Sequence, residues 1–193
     1  MRSRDTSGAT SNPPMTKTLE RRTSETTVRV TAALGTGLAS VQTTVPFLDH
    51  MMVALTRYSG IDLTIAASGD LRHHIIEDVA LVVGPAIAAI IPATAARYGD
   101  HTVPMDEALV QAVIDVGGRP FYQGPLPSSL YDHWMRSFCD AAKFTLHLRV
   151  LRGRDRHHIV EAGFKALGLA LRQAAVESGA VFSTKGAVSL EVE

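Results

Sequence analysis

The sequence lacks most of what would let it work in an oxidising or apolar setting. A single cysteine, Cys139, in 193 residues excludes an intrachain disulfide and any cysteine-rich zinc module, and suits a reducing compartment. No apolar run approaches the ~18–20 residues of a spanning helix, and no signal-peptide core opens the chain. Net charge is absent too: 19 Lys+Arg balance 19 Asp+Glu, which removes the drive for non-specific binding to nucleic acid or an anionic membrane. A soluble cytoplasmic protein with neither partner is expected. Also missing are a G-x-S-x-G elbow, a P-loop, a Rossmann fingerprint and the H-E-x-x-H zincin pattern, and with them the reactions those motifs serve. Gly35-Thr36-Gly37 is only a turn, and Cys139, within an amphipathic helix, reads as packing. What remains is a chain 46% hydrophobic, long enough for one core or two small fused units, and eight histidines.

Residues 1–15 are rich in Ser, Thr, Pro and Gly and read as a disordered leader. Alternation over TTVRVTAAL and LASVQTTV predicts two strands joined as a hairpin through Gly35-Thr36-Gly37. Pro46-Phe47 opens a helix to about Tyr58, and IDLTIAA follows as a strand. Residues 75–91 are apolar nearly all round, a buried helix that Pro85 and Pro92 kink or shorten. LVQAVIDV is a strand, FYQGPLPSS a loop, LYDHWMRSFCDAA a helix and FTLHLRVL a strand. A long helix covers 157–177, and 180–193 is a loop with a short final strand.

The two halves repeat. Asp49-His50 matches Asp132-His133 at an offset of 83, and His73-His74-x-x-Glu77 matches His157-His158-x-x-Glu161 at an offset of 84. Both copies read helix, strand, short loop, His-His pair, long helix. The expected fold is α+β: two pseudo-symmetric βαβα-type half-domains, each a small mixed sheet with helices on one face. The division is 1–15 leader, 16–100 first half-repeat, 101–179 second half-repeat, and 180–193 a loop bearing Ser183-Thr184-Lys185-Gly186.

HHxxE is where chemistry gathers. Composition alone predicts about 0.01 copies of this pattern per chain, so two are not accidental. At a helix start, His73 and Glu77 share a face while His74 points about 100° away, and the same holds for His157, Glu161 and His158. With His50 and His133 the set reaches six imidazoles and two carboxylates, enough for two metal ions with three nitrogens and one oxygen each. Such donors suit Mn, Fe, Ni or Zn without choosing among them. His147 reads as a support behind a ligand or as core, and His101 as a solvated loop residue. Arg97, Arg119, Lys165 and the Ser183–Gly186 loop form a cationic constellation that suggests an anionic substrate.

These residues resemble the imidazoleglycerol-phosphate dehydratase family. The resemblance runs from about Arg22 to Gly186. It rests on Arg22-Thr23-x-Glu25-Thr26, Phe47-Leu48-Asp49-His50-Met51, His73-His74-x-x-Glu77-Asp78, Arg97-Tyr98-Gly99, Pro104-Met105-Asp106-Glu107-Ala108-Leu109, Gly118-Arg119-Pro120, Thr145-Leu146-His147, His157-His158-Ile159-x-Glu161-Ala162-x-Phe164-Lys165 and Ser183-Thr184-Lys185-Gly186. It implies dehydration of imidazoleglycerol phosphate to imidazole-acetol phosphate in histidine biosynthesis, with two Mn²⁺ ions per active site. The implied ligands are His50, His73, His74, Glu77, His133, His157, His158 and Glu161. It further implies substrate contacts from Glu25, Arg97, Arg119, Lys165, Ser183 and Lys185, with Glu25 beside the substrate's hydroxyl chain. Glu77, Glu161 and Glu25 are the catalytic candidates, and Glu77 or Glu161 is expected to carry the proton. Trimers assembling into a 24-subunit shell, with sites shared between copies, belong to the same implication. Metal on the imidazole nitrogens lets the ring store charge while hydroxide leaves. Two local departures stand out. Gly69-Asp70-Leu71-Arg72 runs directly into His73, putting Arg72 where a carboxylate often supports the ligand, and the segment Phe121–Leu130 is short. They leave a weakened, structural member of the family as the alternative reading.

Overall fold

The computed structural model describes residues 15–181; the leader up to residue 14 and the Ser183–Gly186 loop lie outside them. Strong alternation makes the central strands. In β2 (Thr26–Leu34) Val28, Val30 and Ala32 point inward, and in β4 (Ile61–Gly69) Ile61, Leu63 and Ile65 do. The pair is antiparallel, and β1 (Thr16–Arg22) flanks it antiparallel to β2. The fourth strand, β3 (Ala39–Gln42), corrects the expected hairpin. It pairs with β4 in parallel, on the side away from β2, giving the order β1-β2-β4-β3. The Asp62 carboxylate on β4 accepts the backbone N–H groups of Thr36, Gly37 and Leu38 at 2.7–2.9 Å and so carries the loop across its own strand. Gly37 takes φ +87° there, which a side chain would resist.

Two helices complete this half: α1 (Pro46–Ser59), with proline at its first position and a left-handed Gly60 cap, and α2 (Arg72–Ala88). The second half repeats the plan with β5 (Tyr98–Met105), β6 (Ala108–Asp115), β7 (Phe121–Gln123), α3 (Ser129–Ala142), β8 (Thr145–Arg152) and α4 (Arg156–Ala174). Its sheet order, β5-β6-β8-β7, matches the first. Each half is therefore α+β with helices on one face of a mixed sheet, but as βββαβα: β1 and β5 add an edge strand that sequence patterning passes over. His101 accordingly lies in a strand rather than a loop, exposed, and the boundary drawn at 100/101 falls inside β5. Phe121–Gln123, read as loop, is the short edge strand β7. His147 is not core. It faces outward on β8 beside Phe121, with ring centroids 5.5 Å apart.

The helical layers meet crosswise, α1 against α4 and α2 against α3, over one continuous apolar core. Two glycines allow the close approach. A Cβ on Gly84 of α2 would stand 2.7 Å from the Phe138 carbonyl oxygen, and one on Gly168 of α4 would stand 3.1 Å from that of Leu55. The apolar run of α2 after Asp78 is explained by this position, since the helix packs on its own sheet and on α3 at once. Cys139 is 0% exposed, and burial pushes its thiol pKa up, so it packs rather than reacts. No helix among the described residues is long and apolar enough to cross a membrane.

Candidate active site

Helix crossing decides which ligands meet. His50 comes from the first turns of α1 and His157 and Glu161 from α4, so one group is built from both halves. Both Nε2 atoms lie 3.1 Å from the same carboxylate oxygen of Glu161, Oε2. The three ligand atoms fall within 4.8 Å of one another. Metal–nitrogen and metal–oxygen bonds of about 2.0–2.2 Å place neighbouring donors roughly 3 Å apart, so this geometry fits a divalent ion. The pseudo-symmetric group joins α3 to α2: His133 Nε2 is 3.3 Å from Glu77 Oε1. Here His73, the counterpart of His157, turns aside and packs its ring 4.1 Å from that of His74.

An aspartate before each of these histidines secures the helix start. Asp49 accepts the Thr43 backbone N–H at 2.8 Å and its hydroxyl at 2.5 Å, while Asp132 accepts the Leu126 N–H at 2.8 Å and the Tyr122 hydroxyl at 2.6 Å. Each Asp-His pair thus ties the incoming loop to the helix that presents the histidine. Beneath His157 the Phe47 ring (5.0 Å) and, beyond it, Tyr131 form an apolar floor.

Glu161 is the most enclosed carboxylate of the set, 5% exposed. Burial raises its pKa, but hydrogen bonds from Lys165 and His50 outweigh this and hold it below the ordinary value. Lys165 Nζ donates to Glu161 Oε1 at 2.8 Å and sits 5.6 Å over the Tyr58 ring, so within this chain the expected substrate lysine lies beside the candidate ligand carboxylate.

His74 and His158 point elsewhere, as their helical phase requires. His74 Nδ1 is 2.8 Å from Asp70 Oδ1 and 3.6 Å from Glu25 Oε2. His158 Nδ1 is 2.7 Å from Glu107 Oε2. Both imidazole pKa values are raised, chiefly by those hydrogen bonds. Glu107 is held down to about 2 by the Asp155 amide, His158 and the Arg154 amide. The support expected to be lost at Arg72 is therefore supplied by Asp70, two residues earlier. Neither Asp70 nor Glu107 stands out as a site residue in the sequence. The signal was available only through the missed strands, because Glu25 and Glu107 occupy the turns of the equivalent hairpins β1–β2 and β5–β6.

Arg97 and Arg119 line one cavity of about 500 Å³ with Asp115, Gly118, Phe121 and Thr145, and none of the eight histidine and glutamate ligand candidates borders it. Arg97 is fixed there by a two-pronged pair with Asp115, at 2.8 and 2.9 Å. Ser183 and Lys185 lie outside the described residues. A single chain thus gathers the candidates into separate places: two crossed His/Glu groups, two carboxylate-held histidines and a cationic cavity.

A duplicated α+β unit that joins its halves through crossed His/Glu groups, one of them spaced to suit a divalent ion, defines a class of candidate metal-site protein. Known proteins narrow the class. The family model for imidazoleglycerol-phosphate dehydratase matches residues 43–171. Imidazoleglycerol-phosphate dehydratase of Kineococcus radiotolerans is 45% identical over 90% of this chain and 98% of its own, and that of Chlorobium luteolum 41% over 92% and 98%. The crystal structure of the Pyrococcus furiosus enzyme, in complex with (S)-C348, matches with a TM-score of 0.80 and 36% identity, covering 88% of this chain and all of that one. The Staphylococcus aureus enzyme matches at 0.77 and 31%, over 85% of this chain and all of its own. The chain belongs to the imidazoleglycerol-phosphate dehydratase family.

Proposed function

We propose that this chain dehydrates D-erythro-imidazoleglycerol phosphate to imidazole-acetol phosphate, a hydro-lyase step of histidine biosynthesis, using two Mn²⁺ ions per active site. The observation that carries this reading is the crossed group His50, His157 and Glu161, whose donor spacing fits a divalent ion, in a chain of this family. His133 and Glu77 form its pseudo-symmetric partner, which His73 joins by turning back. Bound metal supplies Lewis acidity toward the nitrogens of an imidazole ring, where negative charge develops as the carbon–hydrogen and carbon–hydroxyl bonds break.

The chain's own residues divide the remaining work. Glu161, engaged by Lys165 and two imidazoles, serves as a ligand and makes a poor base. Glu77, with a single imidazole partner, is the second ligand carboxylate. Glu25 is left as the proton carrier, with a side chain 55% exposed and 3.6 Å from His74. Arg97, preset by Asp115, and Arg119 hold the phosphate, joined by Lys165, Ser183 and Lys185. The two half-repeats, the second beginning with β5, are products of duplication.

His74 and His158 face away from the crossed groups, and the arginine cavity stands apart from both. That separation supports completion of each site by neighbouring copies, in a 24-subunit shell of trimers within the cytoplasm. Purified full chain incubated with imidazoleglycerol phosphate and Mn²⁺ should form imidazole-acetol phosphate. Absence of that product sinks the reading, and release of inorganic phosphate instead would point to a hydrolase.

A further inference from the structure

The histidines excluded from the crossed groups are not idle surface side chains. His74 and His158 are the second members of the two His-His pairs, and each has Nδ1 against a carboxylate oxygen, at 2.8 Å from Asp70 and 2.7 Å from Glu107. A carboxylate can only accept, so the hydrogen of each contact sits on Nδ1. The remaining nitrogen, Nε2, then carries the lone pair of the neutral ring. At His158 its nearest acidic neighbour, Asp106 Oδ2, is 3.5 Å away, too far to tie it up. The two carboxylates are mounted differently. Asp70 also accepts the N–H of Leu71 at 2.6 Å and so belongs to the entrance of α2. Glu107 reaches from the β5–β6 turn and accepts the N–H groups of Arg154 (3.0 Å) and Asp155 (2.8 Å), bracing the entrance of α4 from another element. Asp155 in turn accepts the N–H of His157 at 2.7 Å and caps the helix.

We propose that Glu107 and Asp70 are positioning residues that lock His158 and His74 in the Nδ1–H tautomer and aim Nε2 outward as a metal-donating atom for a site completed by a neighbouring copy. The inference rests on the metal-site reading above and deepens it. It gives the short loop before His73 a role: the direct run into the helix brings Asp70 within reach of His74, where it replaces support that would otherwise come from elsewhere. Carboxylate–imidazole contacts of this kind typically govern metal affinity by 10–100-fold.

The test uses the full chain labelled with ¹⁵N-histidine, with E107Q and D70N as variants. In metal-free wild type, at a pH high enough for the same spectra to show both rings neutral, long-range ¹H–¹⁵N spectra should show His74 and His158 as Nδ1–H. A glutamine at 107 can turn its amide NH₂ toward Nδ1, so in E107Q His158 should switch to Nε2–H, and Mn²⁺ should bind roughly 10–100-fold more weakly in a chelator competition. D70N should do the same at His74. It matters as the second variant because Asp70 braces only its own loop, so folding survives even if E107Q loosens α4. A wild-type His158 found as Nε2–H, or variants binding Mn²⁺ within twofold of wild type, would overturn the proposal. If wild type binds Mn²⁺ more tightly than both variants yet turns over no imidazoleglycerol phosphate, the dehydratase reading falls and this one stands.

Discussion

The Arg97–Asp115 pair shows how one contact serves stability and function together. Burial raises the Asp115 carboxyl, but the Arg97 guanidinium and the Gly117 amide more than offset it, and its pKa ends below the ordinary 3.8. A depressed carboxyl stabilises the fold above its unfolded value, and that contribution drains away as pH falls through the folded one. Asp115→Asn should therefore cost about 1–3 kcal/mol at neutral pH. In urea titrations it should also lose less further stability than wild type between about pH 5 and 3, since the group that titrates is gone. At Glu161 the expected effect is on metal. Glu161→Gln leaves Lys165 without its carboxylate and puts a neutral amide where His50 and His157 share an anionic group, so Mn²⁺ affinity should fall at least ~10-fold by chelator competition. The ligand residue types were legible at this scale, because His and Glu seldom recur at one repeated spacing unless they bind something together. Asp70 and Glu107 were not, because a supporting carboxylate has no spacing of its own.

Among the elements, the strands divide by what their pattern could reveal. β2, β4, β6 and β8 are flanked on both sides and bury alternate residues, so their alternation was readable. The missed strands, β1 and β5, are sheet edges with mostly exposed side chains, and β5 even tolerates Pro104. Nothing in such a segment imposes a period of two. The expected hairpin fails for a related reason: Gly35-Thr36-Gly37 permits a tight turn, but Asp62, a distant residue in sequence, captures the loop and sends β3 past β4. The helix crossing yields a prediction. In Gly84→Ala the gain of about 1 kcal/mol in helix propensity competes with a methyl placed 2.7 Å from a backbone carbonyl oxygen. Backbone cannot swing aside as a side chain can, and overpacking costs typically about 1–3 kcal/mol. Net destabilisation by about 1 kcal/mol is expected in urea unfolding, and a stabilised Gly84→Ala would show that the crossing has slack.

For the whole molecule, the division of the candidates into separate places makes the proposed assembly testable. His158→Ala should lower metal content and native mass together, measured by elemental analysis and native mass spectrometry on the same sample. Unchanged mass with lost metal would break the link between the two. The outer face of the second sheet offers a further handle, because Val113, Phe121 and Leu151 are exposed there beside His147. Monomeric proteins seldom leave such a patch bare. Phe121→Asp should reduce native mass while leaving the unfolding midpoint of the single chain nearly unchanged, since the residue contributes little to the core.

The sequence by itself determined the duplication, the interior strands, the four helices and the residue types of a candidate His/Glu metal site. These follow from local periodicity and from spacing along one helix, which a linear chain records directly. Only the tertiary structure decided which histidine meets which glutamate. Helices from opposite halves cross at Gly84 and Gly168, so His50 belongs with His157 and Glu161 rather than with the pair in its own repeat. The same packing decided that Asp70 and Glu107 face the remaining imidazoles, because contacts between distant segments depend on how the layers stack and leave no period in the chain.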